Sequence, residues 1–160
     1  MKPPIKRLDH KAICDIIEPE AKVLDLGCGN GDLLQLLVTG KRVKAQGVEL
    51  NNDAIHACVE KGLSVFHSDI DSGLPYYPDR SFDYVILNQS LQEVKGVESV
   101  IREALRVGNK VIVGFPNFAH IEDRLHRATV GAAADECAIR AFTEHEIERA
   151  NQARFAGTGL

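Results

Sequence analysis

The sequence predicts an α/β fold: a doubly wound, mostly parallel sheet of strand order 3-2-1-4-5 with helices on both faces. Two observations predict it. Short apolar runs alternate with segments of helical period along most of the chain, with no internal repeat. A glycine-rich turn joins the first apolar run to the helix after it, as in parallel sheets that bind ligands at their carboxyl edge.

The elements follow in order. Ile5, Leu8, Ala12, Ile13, Ile16 and Ile17 recur at helical spacing, and Pro19 stops that helix. Lys22 to Leu26 is a buried strand ending in glycines. Leu33, Leu34, Leu36 and Leu37 mark a second helix that ends near Gly40. Val43 to Glu49 is the second strand. Asn51 or Asn52 caps a third helix that turns Ile55, Cys58 and Val59 inward and ends at Gly62. Leu63 to His67 is the third strand, Ser72 to Ser81 a loop, and Phe82 to Leu87 the fourth strand. Val97, Val100, Ile101, Ala104 and Leu105 lie on a helix that closes at Gly108, and Lys110 to Phe115 is the fifth strand. From Ala119 onward no β run is expected. Thr143-Glu144-His145-Glu146 reads as a capping box opening a helix to about Arg154. The predicted organisation is a ligand-binding domain over residues 1–118, extended by a helical, partly irregular segment over residues 119–160.

The 160 residues suit one domain with its own core. Trp is absent and aromatics make up 6%, so that core must be aliphatic. A net charge of -4 with no basic block weighs against a dedicated nucleic-acid binder. Cys14, Cys28, Cys58 and Cys137 form no C-x-x-C pair and no zinc spacing, so they read as reduced thiols. No run approaches the ~18 apolar residues of a membrane span, and no apolar leader follows the basic first residues. The expectation is a soluble, cytoplasmic protein with no metal, no membrane and no nucleic-acid partner.

Function concentrates in Asp25-Leu26-Gly27-Cys28-Gly29-Asn30-Gly31. Glycines between a strand and a helix let the backbone turn sharply and approach a ligand. The helix amino terminus adds free N–H groups and a positive dipole end. Glu49, at the end of the second strand, is placed to accept the hydroxyls of a ribose. A dinucleotide fingerprint would put its third glycine at Asp32, where a carboxylate fits badly and would face a pyrophosphate. The spacing instead suits a ligand with one carboxylate and no phosphate, as in S-adenosylmethionine. Asp25 is a candidate partner for that ligand's ammonium group. A dinucleotide site and a purely structural turn remain the alternatives.

On the third strand's end, Asp69 can accept from an adenine amino group while Ile70 packs against the ring; Leu50, after Glu49, is a further candidate ligand-binding residue. The bland alternative makes Asp69 a loop acid or helix cap. Asn88-Gln89-Ser90 follows the fourth strand, where a methyl acceptor would stand. Methyl transfer needs an aligned acceptor and, for a weak nucleophile, a base. No base is evident, and the N-P-P-Y that would hold an exocyclic amine is replaced by Asn88-Gln89-Ser90-Leu91.

Between about Ile17 and Leu125 the chain resembles the MetW family of bacterial methionine-biosynthesis proteins. Val23 to Gly31 is shared with methyltransferases broadly. The narrower likeness lies in Gly47-Val48-Glu49-Leu50, Asp69-Ile70-Asp71-Ser72-Gly73-Leu74, Pro78-Asp79-Arg80-Ser81-Phe82-Asp83, Gln89-Ser90-Leu91-Gln92-Glu93-Val94 and Phe115-Pro116-Asn117-Phe118-Ala119-His120. The resemblance implies a class I methyltransferase (Rossmann-like) fold, an S-adenosylmethionine site, and a role beside homoserine O-acyltransferase as partner. It implies no methyl acceptor. After about His126 the likeness stops, and the strand pair that ends such folds is expected to be missing.

Overall fold

The computed structural model describes residues 7–116, 137–143, 145, 146 and 149. The elements run α1 (Leu8–Ile16), β1 (Lys22–Leu26), α2 (Asp32–Lys41), β2 (Lys44–Glu49), α3 (Asn52–Glu60) and β3 (Ser64–His67). A short 3-10 turn (Ile70–Ser72), β4 (Phe82–Asn88), α4 (Val97–Val107), β5 (Gly108–Pro116) and β6 (Cys137–Phe142) complete them. The sheet order is β3-β2-β1-β4-β5-β6. The first five strands are parallel and take the predicted order, with Asp25 of β1 in register with Gly47 of β2 and Ile86 of β4.

Strand alternation sorts the core into two layers. Leu24, Leu26, Val85 and Leu87 face α4 and pack with Val100, Ala104 and Val107. Val23, Tyr84 and Ile86 face the other way and pack with Ile13 and Ile17 beside α1 and with Leu33 and Leu37 of α2. A smaller group, Cys28, Leu34 and Cys58, joins α2 to α3. Asp25 lies two residues from Val23 and so points into the α1–α2 layer, which leaves it only 3% exposed.

Three expectations are corrected. The tail carries a strand: β6 runs antiparallel to β5, with Val111 opposite Phe142 and Val113 opposite Arg140. Its sequence, Cys-Ala-Ile-Arg-Ala-Phe, is poor in β-branched residues, so its propensity is weak. Tertiary context overrides that, because β5 offers an open edge and Ile139 and Ala141 pack on the layer that holds Ile13 and Ile17. Val59 is 59% exposed rather than inward. It sits one residue past the fully buried Cys58, about 100° further round the helix, and α3 covers a sheet edge with a single narrow stripe. Leu8 is likewise exposed in the first turn of α1.

Two caps are as read. Asn51 Oδ1 accepts from Ala54 N at 3.0 Å. Thr143 N donates to Glu146 Oε2 at 2.8 Å, while Glu146 N donates to Thr143 Oγ1 at 3.4 Å. Most of the helix expected after Thr143, and most of the Phe115–His120 pattern, lie outside the described residues. Among the described residues, no helix is long and apolar enough to cross a membrane.

Candidate functional site

The chain crosses over between β3 and β4, so β1 and β4 are the adjacent strands at which the winding direction reverses. A crevice opens there at their carboxyl ends, where parallel sheets bind ligands. The glycine loop lines its floor. Gly27, Gly29 and Gly31 all adopt positive φ, at 73°, 55° and 78°. Their reasons differ. A Cβ on Gly31 would meet Leu63 Cδ1 at 2.5 Å and Cys58 Sγ at 2.8 Å, so Gly31 lets α2 pack against α3. A Cβ on Gly29 would meet nothing within 4 Å and would stand in open space.

Glu49 closes the loop from the side. Its Oε2 accepts from Gly29 N at 2.8 Å, and its Oε1 accepts from Leu50 N at 2.8 Å and Asn51 N at 2.9 Å. A carboxylate offers about four lone-pair positions. Three are engaged here, so one remains for a further donor.

The crevice narrows to a cavity of about 130 Å³ lined by Arg7, His10, Asp25, Gly27, Cys28, Gly29, Asn30, Asp32, Leu33, Asn88 and Gln89. That is below the roughly 300–1,000 Å³ of a site that encloses a whole drug-sized ligand, so it fits one end of such a molecule. The Asp25 carboxyl makes no hydrogen bond among the described residues. Burial, aided by the negative charge of Glu49, pushes its carboxyl up to about 7.

The far wall is built by α1, which sequence reasoning did not place. The link from Ile17 to Ala21 is short, so α1 runs back along β1. Nine residues of helix span about 13 Å and five of strand about 17 Å, so the first turn of α1 lies beside the glycine loop. Asp9 there is 5% exposed and holds four donors. Arg7 Nε and Nη2 donate to its two oxygens at 3.0 and 2.6 Å. Asn88 Nδ2 and Gln89 Nε2 donate to Oδ2 at 3.0 and 3.2 Å. Burial pushes the Asp9 carboxyl up, but the bonds from Asn88 and Arg7 outweigh it and hold it below the usual range. His10, next to it, is lowered by burial. Gln89 takes a left-handed φ of 63° that aims it into this cluster, at a cost of about 1–2 kcal/mol for a non-glycine residue.

Of the sequence-predicted residues, Asp25, Gly27, Cys28, Gly29 and Asn88 meet in the cavity. Glu49 stands at its edge. Leu50, 57% exposed, and the half-buried Ile70 are outside the cavity lining, and Ile70 packs against the core that faces α4. Asp69 is exposed and caps the 3-10 turn, its Oδ1 accepting from Asp71 N at 2.9 Å. Gly31 is a packing position outside the cavity lining. Cys28 and Cys58 are buried thiols whose Sγ atoms lie 3.8 and 3.2 Å from the Gly29 carbonyl, and burial pushes both up, which keeps them unreactive.

Comparison with known proteins shows the family and the fold. The family described as "Methionine biosynthesis protein MetW" matches residues 7–143, further at both ends than the motifs from Ile17 to Leu125. A "Bifunctional methionine biosynthesis protein MetXA/MetW" of Rhodopirellula baltica is 40% identical over 132 residues, covering 78% of this chain and 21% of that protein. A "27-O-demethylrifamycin SV methyltransferase" of Amycolatopsis mediterranei is 34% identical over 58% of this chain and 38% of its own length. The chain thus spans well under half of either relative. Among solved structures, a SAM-dependent methyltransferase from Aquifex aeolicus superposes with a TM-score of 0.65 at 18% identity, covering 83% of this chain and 88% of that one. The [4+2]-cyclase SpnF superposes at 0.60 and 24% identity over 66% of this chain and 43% of its own. These structures share the class I methyltransferase fold.

Proposed function

Since the chain belongs to the MetW family of methionine biosynthesis proteins, we propose that it binds S-adenosylmethionine at the β1–β4 crevice and acts beside a homoserine O-acyltransferase. The observation that carries the ligand assignment is Asp25: a buried carboxyl without a partner, facing a cavity at the topological switch point. A ligand ammonium supplies the missing partner. Burying an unpaired carboxylate costs several kcal/mol, and a cation in contact recovers much of that. The ribose lies against Glu49. With Glu49 as placed, one hydroxyl takes its open lone pair, and the second displaces Gly29 N–H. Leu50 and Ile70 offer apolar surface to the adenine, with the free oxygen of Asp69 near its amino group.

The partner assignment is supported by the name of the R. baltica relative, which joins MetXA and MetW in a single protein. A second reading makes the chain a non-catalytic, S-adenosylmethionine-responsive subunit of that acyltransferase. What favours it is the state of the acceptor side: the amides of Asn88 and Gln89 are tied to Asp9 rather than turned toward an acceptor. Isothermal titration with S-adenosylmethionine, alone and with the acyltransferase present, tests both. Binding that changes with the acyltransferase supports a regulatory subunit. Equal affinity with methylated product by mass spectrometry supports an enzyme, and no binding refutes the ligand assignment.

A further inference from the structure

Parallel strands are normally covered on both faces by their crossover helices. β3 is not. It is the outermost strand, so its outer backbone groups have no strand beyond them. Three of its four residues, Ser64, Phe66 and His67, are exposed. The cause is the crossover to β4, which carries a three-residue 3-10 turn where a helix would otherwise cover the strand.

Aromatic side chains collect on this bare face. Tyr76, from the loop after the turn, is 75% exposed, and its ring lies 5.6 Å from that of Phe66, itself 38% exposed. Exposed aromatics in contact are the composition of a protein-binding surface. On the other flank of the same edge, α3 turns Val59 to solvent.

The charge around them decides what fits. Residues 52–76 carry four carboxylates, Asp53, Glu60, Asp69 and Asp71, and one lysine, Lys61. Lys61 is drawn onto Asp32 and the Asn30 carbonyl, which leaves it 25% exposed. Asp53 and Glu60 face solvent, with no side-chain partner among the described residues. The edge is therefore apolar at its centre and acidic around it. A second copy docked here would bring like charge against like charge. A phosphate backbone or an anionic membrane would be repelled in the same way. The complement is a protein surface with an apolar centre ringed by lysines or arginines.

Building on the acyltransferase reading above, we propose that homoserine O-acyltransferase docks on this β3 edge, its apolar centre on Phe66 and Tyr76 and its basic groups on the surrounding carboxylates. Glu49 links the edge to the ligand crevice. It holds Gly29 N on the crevice side, and Leu50 N and Asn51 N where Asn51 caps α3.

The test is titration of purified homoserine O-acyltransferase with the wild type, Tyr76→Ser, Glu60→Lys and Val38→Ser. Each is also melted and titrated with S-adenosylhomocysteine, to show that fold and ligand site are intact. Val38 is an exposed apolar residue on α2 rather than on this edge, and serves as control. Wild-type affinity is expected to fall with salt, as attraction between opposite charges requires. Tyr76→Ser should weaken docking about tenfold or more, the range of an aromatic at the centre of an interface. Glu60→Lys should weaken it about threefold to tenfold and flatten the salt dependence. Val38→Ser should leave it within twofold. If Tyr76→Ser and Glu60→Lys bind the acyltransferase as tightly as the wild type, the docking surface is overturned and the partner reading stands. Light scattering that shows a dimeric wild type and a monomeric Tyr76→Ser also overturns it, and gives the edge to a second copy. A wild type that does not bind the acyltransferase at any salt overturns the partner reading and this surface together.

Discussion

Replacing Asp25 by Asn gives a prediction whose size and sign both come from the structure. The carboxyl is raised from 3.8 to about 7, chiefly by burial. A folded-state value above the unfolded one means that the native protein holds a proton the unfolded chain releases. The group therefore destabilises the fold increasingly as pH rises from about 4, and the penalty levels off above about 7. At 1.36 kcal/mol per tenfold the penalty is roughly 1.7 kcal/mol at pH 5 and roughly 4 kcal/mol at pH 8, an upper bound. Asn keeps the shape and removes the titration. Its own unpaired amide adds a pH-independent cost, so the quantity to read is the change with pH. Urea unfolding of the ligand-free wild type and Asp25→Asn should show the variant gaining about 2.5 kcal/mol relative to wild type between pH 5 and pH 8. A difference that stays constant over that interval would refute the claim that Asp25 is buried without a partner. The ligand reports the same proton. A bound ammonium favours the carboxylate, so wild-type affinity should rise with pH up to about tenfold per pH step below 7 and flatten above it. Asp25→Asn should abolish that slope.

Other perturbations separate ligand space from packing. Glu49→Ala should weaken S-adenosylhomocysteine binding by about 1–3 kcal/mol, and it should also lower thermal stability because Gly29, Leu50 and Asn51 lose their acceptor; unchanged titration and melting curves would remove Glu49 from the site. Gly29→Val should keep the fold at a cost of about 1–2 kcal/mol for the positive φ yet abolish ligand binding, whereas Gly31→Val should unfold the protein by driving into Leu63 and Cys58; circular dichroism and titration of the pair test this, and equal behaviour would contradict it. Arg106→Ala should cost about 1–3 kcal/mol of stability, since the side chain ties Leu74 O, Tyr77 O, Asp79 and Glu103 together, while affinity at the distant crevice stays unchanged.

The parallel core of this fold was legible because its signals are local. Apolar runs, Asn51 as a cap and glycines after β1 each act within a few residues, and together they specify order and polarity. The floor of the site was legible for the same reason: Gly27, Gly29 and Asp25 are adjacent in sequence. Its far wall was not, because Arg7 and Asp9 read as an ordinary charged helix start. Their role depends on α1 folding back along β1, which a short Ile17–Ala21 link and an element-length estimate would have shown. The bonding of the loop amides was hidden at a different level. Sequence shows that glycines free the backbone, but only coordinates show that Val48, Glu49 and Cys28 already hold those N–H groups. β6 escaped notice because an edge position and a waiting partner, rather than its alanine-rich sequence, make it a strand.

The most direct measurement is a crystal structure of the protein grown with S-adenosylhomocysteine. The account predicts one ligand per chain, its amino-acid end in the cavity with its ammonium group on Asp25 and its ribose against Glu49. A crevice still empty at millimolar ligand, with Glu49 unmoved on Gly29 N–H and Asp25 unpaired, would contradict it.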